Sequence, residues 1–252
     1  MTLTDAKQAF MEHMTELRKA LTYSVVTLVI CFVLVFVLLC EPLMDFVLQP
    51  IHSLGIELVY TTLAEVWVTK MKVSFIAAFV VSFPLITFFI WRFLRPALYP
   101  NERKMIGGVF FASLILFLIG ITFAFIAVLA LTINFFVTSG TGTALPMLTI
   151  SKYVSFLTSF LIPFGLVFLL PLAVYVLTKL GVLSPETLVK SRKYVIVILA
   201  VLAAIITPPD IISQLLILIP MLILWEASIL LAKRVKVSQE RQILKNSDQT
   251  PV

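Results

Sequence analysis

Charge is what this 252-residue sequence has least of: 13% of it is Asp, Glu, Lys or Arg, against 61% hydrophobic residues and a mean hydropathy of +1.11. A soluble domain carries about 25% charged residues, and polar surface at half that level cannot solvate a globule of this length. The scarcity excludes a water-soluble fold and leaves lipid as the medium. Histidine and cysteine are almost as scarce, with two of each. His13 and His52 belong to no HExxH motif, no GxSxG accompanies a histidine, and no Gly-rich phosphate loop is present. Cys31 and Cys40 sit on one expected helix, about 13 Å apart at the helical rise, too far to be bridged. They read as packing thiols, and no spacing suits a metal. Catalysis, a cofactor and a metal centre are not expected.

What is present in quantity is long apolar runs. A chain in lipid must satisfy its backbone internally, as helices or as a closed barrel. A barrel would alternate apolar and polar over segments of about ten residues, whereas Ser24 to Leu39 reads "SVVTLVICFVLVFVLL" without a break. The fold class is therefore all-α, a polytopic membrane protein. Charges and breakers bound six spans, at about 20–40, 73–94, 105–136, 153–178, 194–206 and 211–232, with Glu41-Pro42 expected to stop the first. The fourth contains Pro163 and Pro171, and Thr207-Pro208-Pro209 cuts the fifth to some thirteen residues. The last two spans are expected to be short and to thin the bilayer locally. The segment "PLMDFVLQPI" is expected along the membrane surface, and residues 237–252 as a disordered tail after one domain over 1–236. The N-terminus lacks the basic n-region and cleavage site of a signal peptide.

Lysine and arginine set the orientation, because they accumulate on the cytoplasmic side. Sixteen of the nineteen lie at the N-terminus, in 92–104, in 179–193 or beyond 232; only Lys70, Lys72 and Lys152 fall on the other side. Both termini are expected in the cytoplasm. Trp67 and Tyr60 are expected as interfacial anchors of the outer loop.

Against that basic inner surface a few acids stand out. "MEHMTELRKALTY" places Glu12 and Glu16 one turn apart, a mildly repulsive spacing. Either they are neutralised locally by Arg18 and Lys19, or Glu16 belongs to a patch that binds a cation. "WRFLRPALYPNERK" holds one acid, Glu102, in a loop stiffened by Pro96 and Pro100. It is either an ordinary inner loop or the position of a second fixed carboxylate, suited to a guanidinium that binds carboxylates in bidentate fashion. In "ITPPDIISQ", Asp210 reads as a helix cap and Gln214 as polar glue toward another helix. Glu226 is an ionisable group near the inner end of the sixth span, either functional or paired with nearby bases.

Seven blocks together carry a resemblance: "HMTELRKAL", "KVSF", "WRFLRPALYPNERK", "FGLVFLLP", "LSPETLVKSRKYV", "TPPDIISQ" and "ILWEA". In this order they resemble the TatC family, the multispanning core subunit of the twin-arginine (Sec-independent) protein translocase, over about residues 10–232. The resemblance implies a cup-shaped bundle of six helices in the cell inner membrane, with both termini cytoplasmic. It implies a receptor for the twin-arginine signal peptides of folded precursor proteins, acting with TatA- and TatB-type single-span partners and as a homo-oligomer within the complex. By motif, Glu16 and Glu102 would contact the two arginines, and Arg18, Phe93 and Arg103 would shape that patch. Pro50, Glu65 and Asp210 would belong to the outer cap, and Gln214 to a partner-helix contact.

One departure stands out. Family members commonly show "FGxxFExP" in the fourth span, and here Leu169 occupies the glutamate position. Loss of a carboxylate in the membrane should stabilise the bundle and remove a polar contact. A secondary transporter is the competing class, since broken helices suit one, but no charge lies at the midplane of any span and no paired halves are visible. A membrane-embedded assembly factor shares every feature and differs only in ligand.

Overall fold

The structure, a computed structural model, describes residues 3–53, 55, 58–94, 105–133, 148–206 and 211–247, with backbone alone at 3–10, 12, 13, 94, 105, 106, 212, 213 and 238–247. The elements are α1 (Leu3–His52), β1 (Leu58–Val59), α2 (Leu63–Leu94), α3 (Met105–Phe123), β2 (Leu148–Thr149) and α4 (Ile150–Val167). They continue as α5 (Leu170–Lys179), α6 (Pro185–Lys190), α7 (Arg192–Ile206) and α8 (Ile211–Ser247). A π-turn, Ala124–Val128, prolongs α3. Among the described residues five segments are long and apolar enough to cross a membrane, in α1, α2, α3 with its extension, α4 with α5, and α8. With 15 residues, α7 reaches about 22 Å and is the short span anticipated from the sequence.

Two expectations about the helices are corrected. Glu41-Pro42 does not stop the first helix, and "PLMDFVLQPI" is not a separate surface segment: α1 runs through Pro42 and Pro50 for 50 residues. Met44, Val47 and Ile51 are buried beyond Pro42, and the Tyr153 hydroxyl donates to the Val47 carbonyl at 2.8 Å, so packing holds the turns past the missing N–H. The fourth span, Ile150–Lys179, bends where α4 gives way to α5. Pro171 cannot donate a backbone hydrogen bond, and the Leu169 N–H turns to the Leu166 carbonyl at 3.0 Å before α5 starts. The sixth span is not short: its apolar stretch covers Gln214–Val237, and α8 as a whole has 37 residues and reaches Ser247, well into the expected tail. Its buried stripe of Ile217, Met221, Trp225, Ser228, Ile229, Ala232 and Val235 runs past Lys233 at helical spacing. Residues 237–247 are then carried by good helix formers such as Gln239, Glu240, Arg241 and Leu244.

Packing divides the chain into two units, Met1–Ile115 with Pro146–Thr158, and Leu116–Leu145 with Ser159–Val252. In the first, α1 and α2 form an antiparallel hairpin marked by Tyr23 against Phe89, Phe32 against Phe75, and Glu41 paired with Lys70. The start of α4 joins it through Tyr153 and through Lys72, whose ammonium donates to Ser155 Oγ at 2.8 Å. A two-residue parallel bridge matches Leu58 with Leu148 and Val59 with Thr149. Much of α1 turns apolar side chains outward: Val37 and Leu38 are 71% and 69% exposed, a surface that water would not tolerate and lipid does.

The second unit is built on close helix approach. A Cβ on Gly165 would stand 2.6 Å from the Phe117 ring, and one on Gly120 would stand 2.9 Å from the Phe164 carbonyl, so no larger residue fits either position. Phe123 completes the contact against Phe164 and Phe168. Gly181 ends α5 at φ +72°, with the Val182 N–H on the Leu177 carbonyl and the Gly181 N–H on the Thr178 carbonyl, a Schellman closure. The chain then enters α6, capped by Ser184, whose Oγ accepts the Thr187 N–H.

Candidate functional site

In the first unit a cleft of about 400 Å³ opens between the Arg92 end of α2 and the facing turns of α1. Helical periodicity builds it. Glu16, Lys19, Ala20 and Tyr23 fall on one face of α1, and Phe89, Arg92 and Phe93 on one face of α2. Glu16 Oε1 accepts a hydrogen bond from Lys19 Nζ at 2.9 Å, with the two side chains 49% and 53% exposed. An exposed pair three residues apart is worth little and exchanges readily with water or another cation. The Tyr23 and Phe89 rings stand 5.8 Å apart at 43°, and Tyr23 is 55% exposed. The cleft therefore offers a replaceable carboxylate beside aromatic faces, which is the chemistry of a site for an organic cation.

Of the residues singled out in the sequence, Glu16 and Phe93 meet in this cleft. Arg18 is exposed on α1 and does not line it. Glu102, Arg103 and Asp210 lie outside the described residues, and only the backbone of Glu12 is described. Local neutralisation of Glu16, one of the two alternatives, is what Lys19 provides.

The remaining polar positions are tied into the fold. Glu65 accepts from the Thr61 N–H at 2.7 Å, the Thr61 hydroxyl at 2.8 Å and the Ser151 N–H at 3.2 Å. One carboxylate thus caps the starts of both α2 and α4. Pro50 lies in the last turns of α1, where its carbonyl accepts the Ser53 hydroxyl. Gln214 donates from Nε2 to the Ala200 carbonyl at 3.0 Å, so its glue joins α8 to α7 within this chain. Glu226 accepts from Arg192 at 2.6 Å. Leu169 occupies the turn between α4 and α5, half-buried.

Tyr23, Phe89 and Arg92 were not singled out in the sequence. The signal was available: Tyr23 follows Glu16 by seven residues and Phe89 precedes Phe93 by four, both spacings that keep a helix face. In runs so apolar, an aromatic at helical spacing is ordinary, and only the α1–α2 register turns it into a site.

Known proteins resemble this chain over most of its length. The family model described as Sec-independent protein translocase protein (TatC) matches residues 12–220. The Sec-independent protein translocase protein TatC of Carboxydothermus hydrogenoformans is 42% identical over 93% of this chain and 96% of its own length. The protein of the same name from Aquifex aeolicus is 36% identical over 88% of this chain and 93% of its own. Among solved structures, the crystal structure of the twin arginine translocase receptor TatC superposes with a TM-score of 0.82 at 35% identity, covering 89% of this chain and 99% of that one.

Proposed function

This chain belongs to the TatC family of Sec-independent protein translocase proteins, and we propose that it is the signal-peptide receptor at the core of a twin-arginine translocase. It is a multi-pass membrane component of protein transport rather than an enzyme. The observation that carries the proposal is Glu16, a carboxylate whose one hydrogen-bond partner among the described residues is a neighbouring lysine, in an aromatic-walled cleft. A guanidinium entering there replaces one ammonium contact by a planar fork that binds the carboxylate through two hydrogen bonds. A motif with two arginines calls for a second acid, and Glu102, in the segment that follows α2, is the residue we assign to it. Arg18 and Arg103 flank these acids in sequence and would order the patch rather than bind the arginines.

The membrane is the cell inner membrane, with both termini cytoplasmic. The charge bias supports this, since Arg18, Lys19 and Arg92 gather at one end of the α1–α2 hairpin while Lys70 and Lys72 lie toward the other. TatA- and TatB-type single-span proteins and further copies of the chain complete the assembly. They would find lipid-facing apolar surface on α1 and on the exposed side of the short α7, where Val197, Ile198, Val201 and Ile205 are all exposed.

The test is photocrosslinking in native membranes from a photoreactive residue at Ala20, which lines the cleft and leaves Glu16 intact. Crosslinks to an Arg-Arg signal peptide that vanish with a Lys-Lys peptide, and with Glu16→Gln, support the receptor. Equal crosslinking by both peptides would remove the paired-arginine reading.

A further inference from the structure

The described charges of the cleft do not by themselves favour an arginine. One acid, Glu16, faces two bases, Lys19 and Arg92, and Lys19 already holds the acid at 2.9 Å. Coulomb attraction in such a half-exposed setting is weak and would serve a lysine about as well. The bidentate fork on Glu16 gives a guanidinium one advantage over an ammonium, and the cleft holds a second. The aromatic wall supplies it: a guanidinium is planar, delocalised and weakly hydrated and stacks on ring faces, whereas an ammonium is a compact ion that keeps its water.

We propose that Tyr23 and Phe89 form the arginine-selecting wall of the signal-peptide receptor, one guanidinium of the peptide lying against the Tyr23–Phe89 pair while the fork of the neighbouring arginine engages Glu16. The inference rests on the receptor reading above and adds to it which residues set the choice of arginine. Three features of the geometry carry it. The two rings come from different helices and stand 5.8 Å apart at 43°, so together they form a two-walled corner. Tyr23 lines the cleft and is 55% exposed as a residue, so its own chain does not bury it. Tyr23 lies two turns along α1 from Glu16, about 10 Å, a distance an extended arginine side chain and its neighbour in a peptide can span. Lys19, midway between them, is the group that leaves Glu16 when the peptide enters.

The roles separate in an affinity ratio. Glu16 holds the cation and favours the fork, and the wall adds a further preference for arginine over lysine. Removing one ring is expected to cost the Arg-Arg peptide about fivefold, equivalent to roughly 1 kcal/mol, and the Lys-Lys peptide little.

The experiment measures the affinities of Arg-Arg and Lys-Lys signal peptides for the full chain in lipid nanodiscs, for the unmutated protein and for Tyr23→Leu, Phe89→Leu, Tyr23→Phe and Tyr23→Trp. The ratio of the two affinities should fall in both leucine variants, hold in Tyr23→Phe and rise in Tyr23→Trp, since tryptophan is the strongest cation–π partner. A ratio unmoved in the leucine variants, or Arg-Arg and Lys-Lys binding lost in parallel, overturns the proposal while the receptor reading stands. If the leucine variants fail to fold, the tryptophan variant decides: an unchanged ratio there overturns it. No preference for Arg-Arg in the unmutated protein sinks the receptor reading itself, and that arm contains no mutation at all.

Discussion

Two glutamates at opposite ends of the same helical hairpin are held in opposite ways. Glu65, at the start of α2, is saturated: two backbone N–H groups and a hydroxyl converge on its oxygens, one of them from α4. Glu16, facing the other end of α2, is held among the described residues by one flexible ammonium from its own helix, and both partners stand half in solvent. A carboxylate whose acceptors are filled by fixed backbone donors is part of the scaffold, because nothing can replace those donors without unfolding them. A carboxylate met by a mobile side chain can change partners at little cost. The lesson is to read an acid in a membrane protein by how replaceable its partners are, since charge and approximate depth do not distinguish these two.

Removing each charge in turn should separate the two roles, and Glu16→Gln carries the largest expected effect. Binding of an Arg-Arg signal peptide should weaken by at least about tenfold, because the amide keeps one acceptor and loses the charge-assisted fork. The melting temperature should stay where it was. Glu65→Gln should do the reverse. Its new NH₂ would face backbone N–H donors, and the melting temperature should fall by roughly 2–4 °C while peptide affinity stays within about twofold. A thermal scan and a titration on each variant check both; a fall in both readouts for either variant would collapse the distinction.

The sequence carried the membrane class and the positions of the helices because both follow from local composition. Long apolar runs bounded by charges need no tertiary information. It misjudged helix ends for the opposite reason. Pro42 is a stop signal locally, and only the burial of Met44, Val47 and Ile51 carries α1 past it. The tail after Lys236 reads as solvated, yet the stripe ending at Val235 leads α8 onward. At the candidate site, Glu16 stands out as an acid among bases, and its local neutralisation is three residues away. Its aromatic neighbours on α2 are about seventy residues off and depend on the register of the hairpin. Glu65 and Glu226 are the same case. Their partners Ser151 and Arg192 lie 86 and 34 positions away, and no local pattern announces them.

Lys19→Gln should sharpen the contrast by a smaller step. Freeing Glu16 from its intrahelical partner removes a competitor and one positive charge from the cleft. Both changes favour an incoming cation, so peptide affinity should rise by about twofold, the scale of an exposed ion pair. The gain should shrink in high salt, where such pairs are screened. An affinity that falls instead would mean that Lys19 orients Glu16 for its ligand rather than occupying it.

Glu186 extends the comparison to the second unit and offers the smallest effect. Its Oε1 accepts from Lys236 at 2.7 Å, tying α6 to α8. The Lys236 contact first, then its own backbone N–H and the Ser184 hydroxyl, hold its carboxyl down from an ordinary 4.5 to about 2. A depressed acid contributes stability that is full above its unfolded value and is lost as pH falls through the folded one. The tie should therefore be intact at pH 7 and at pH 5, weaken below about 4.5 and disappear near 2. Because the pair is exposed, the change in melting temperature it causes should be slight and sensitive to salt. Comparing the pH dependence of Glu186→Gln with that of the unmutated protein isolates it: the two curves should differ above pH 4.5 and converge toward pH 2. Curves that stay parallel down to pH 2 would show that Lys236 is held by other contacts and that Glu186 is the more replaceable of the pair.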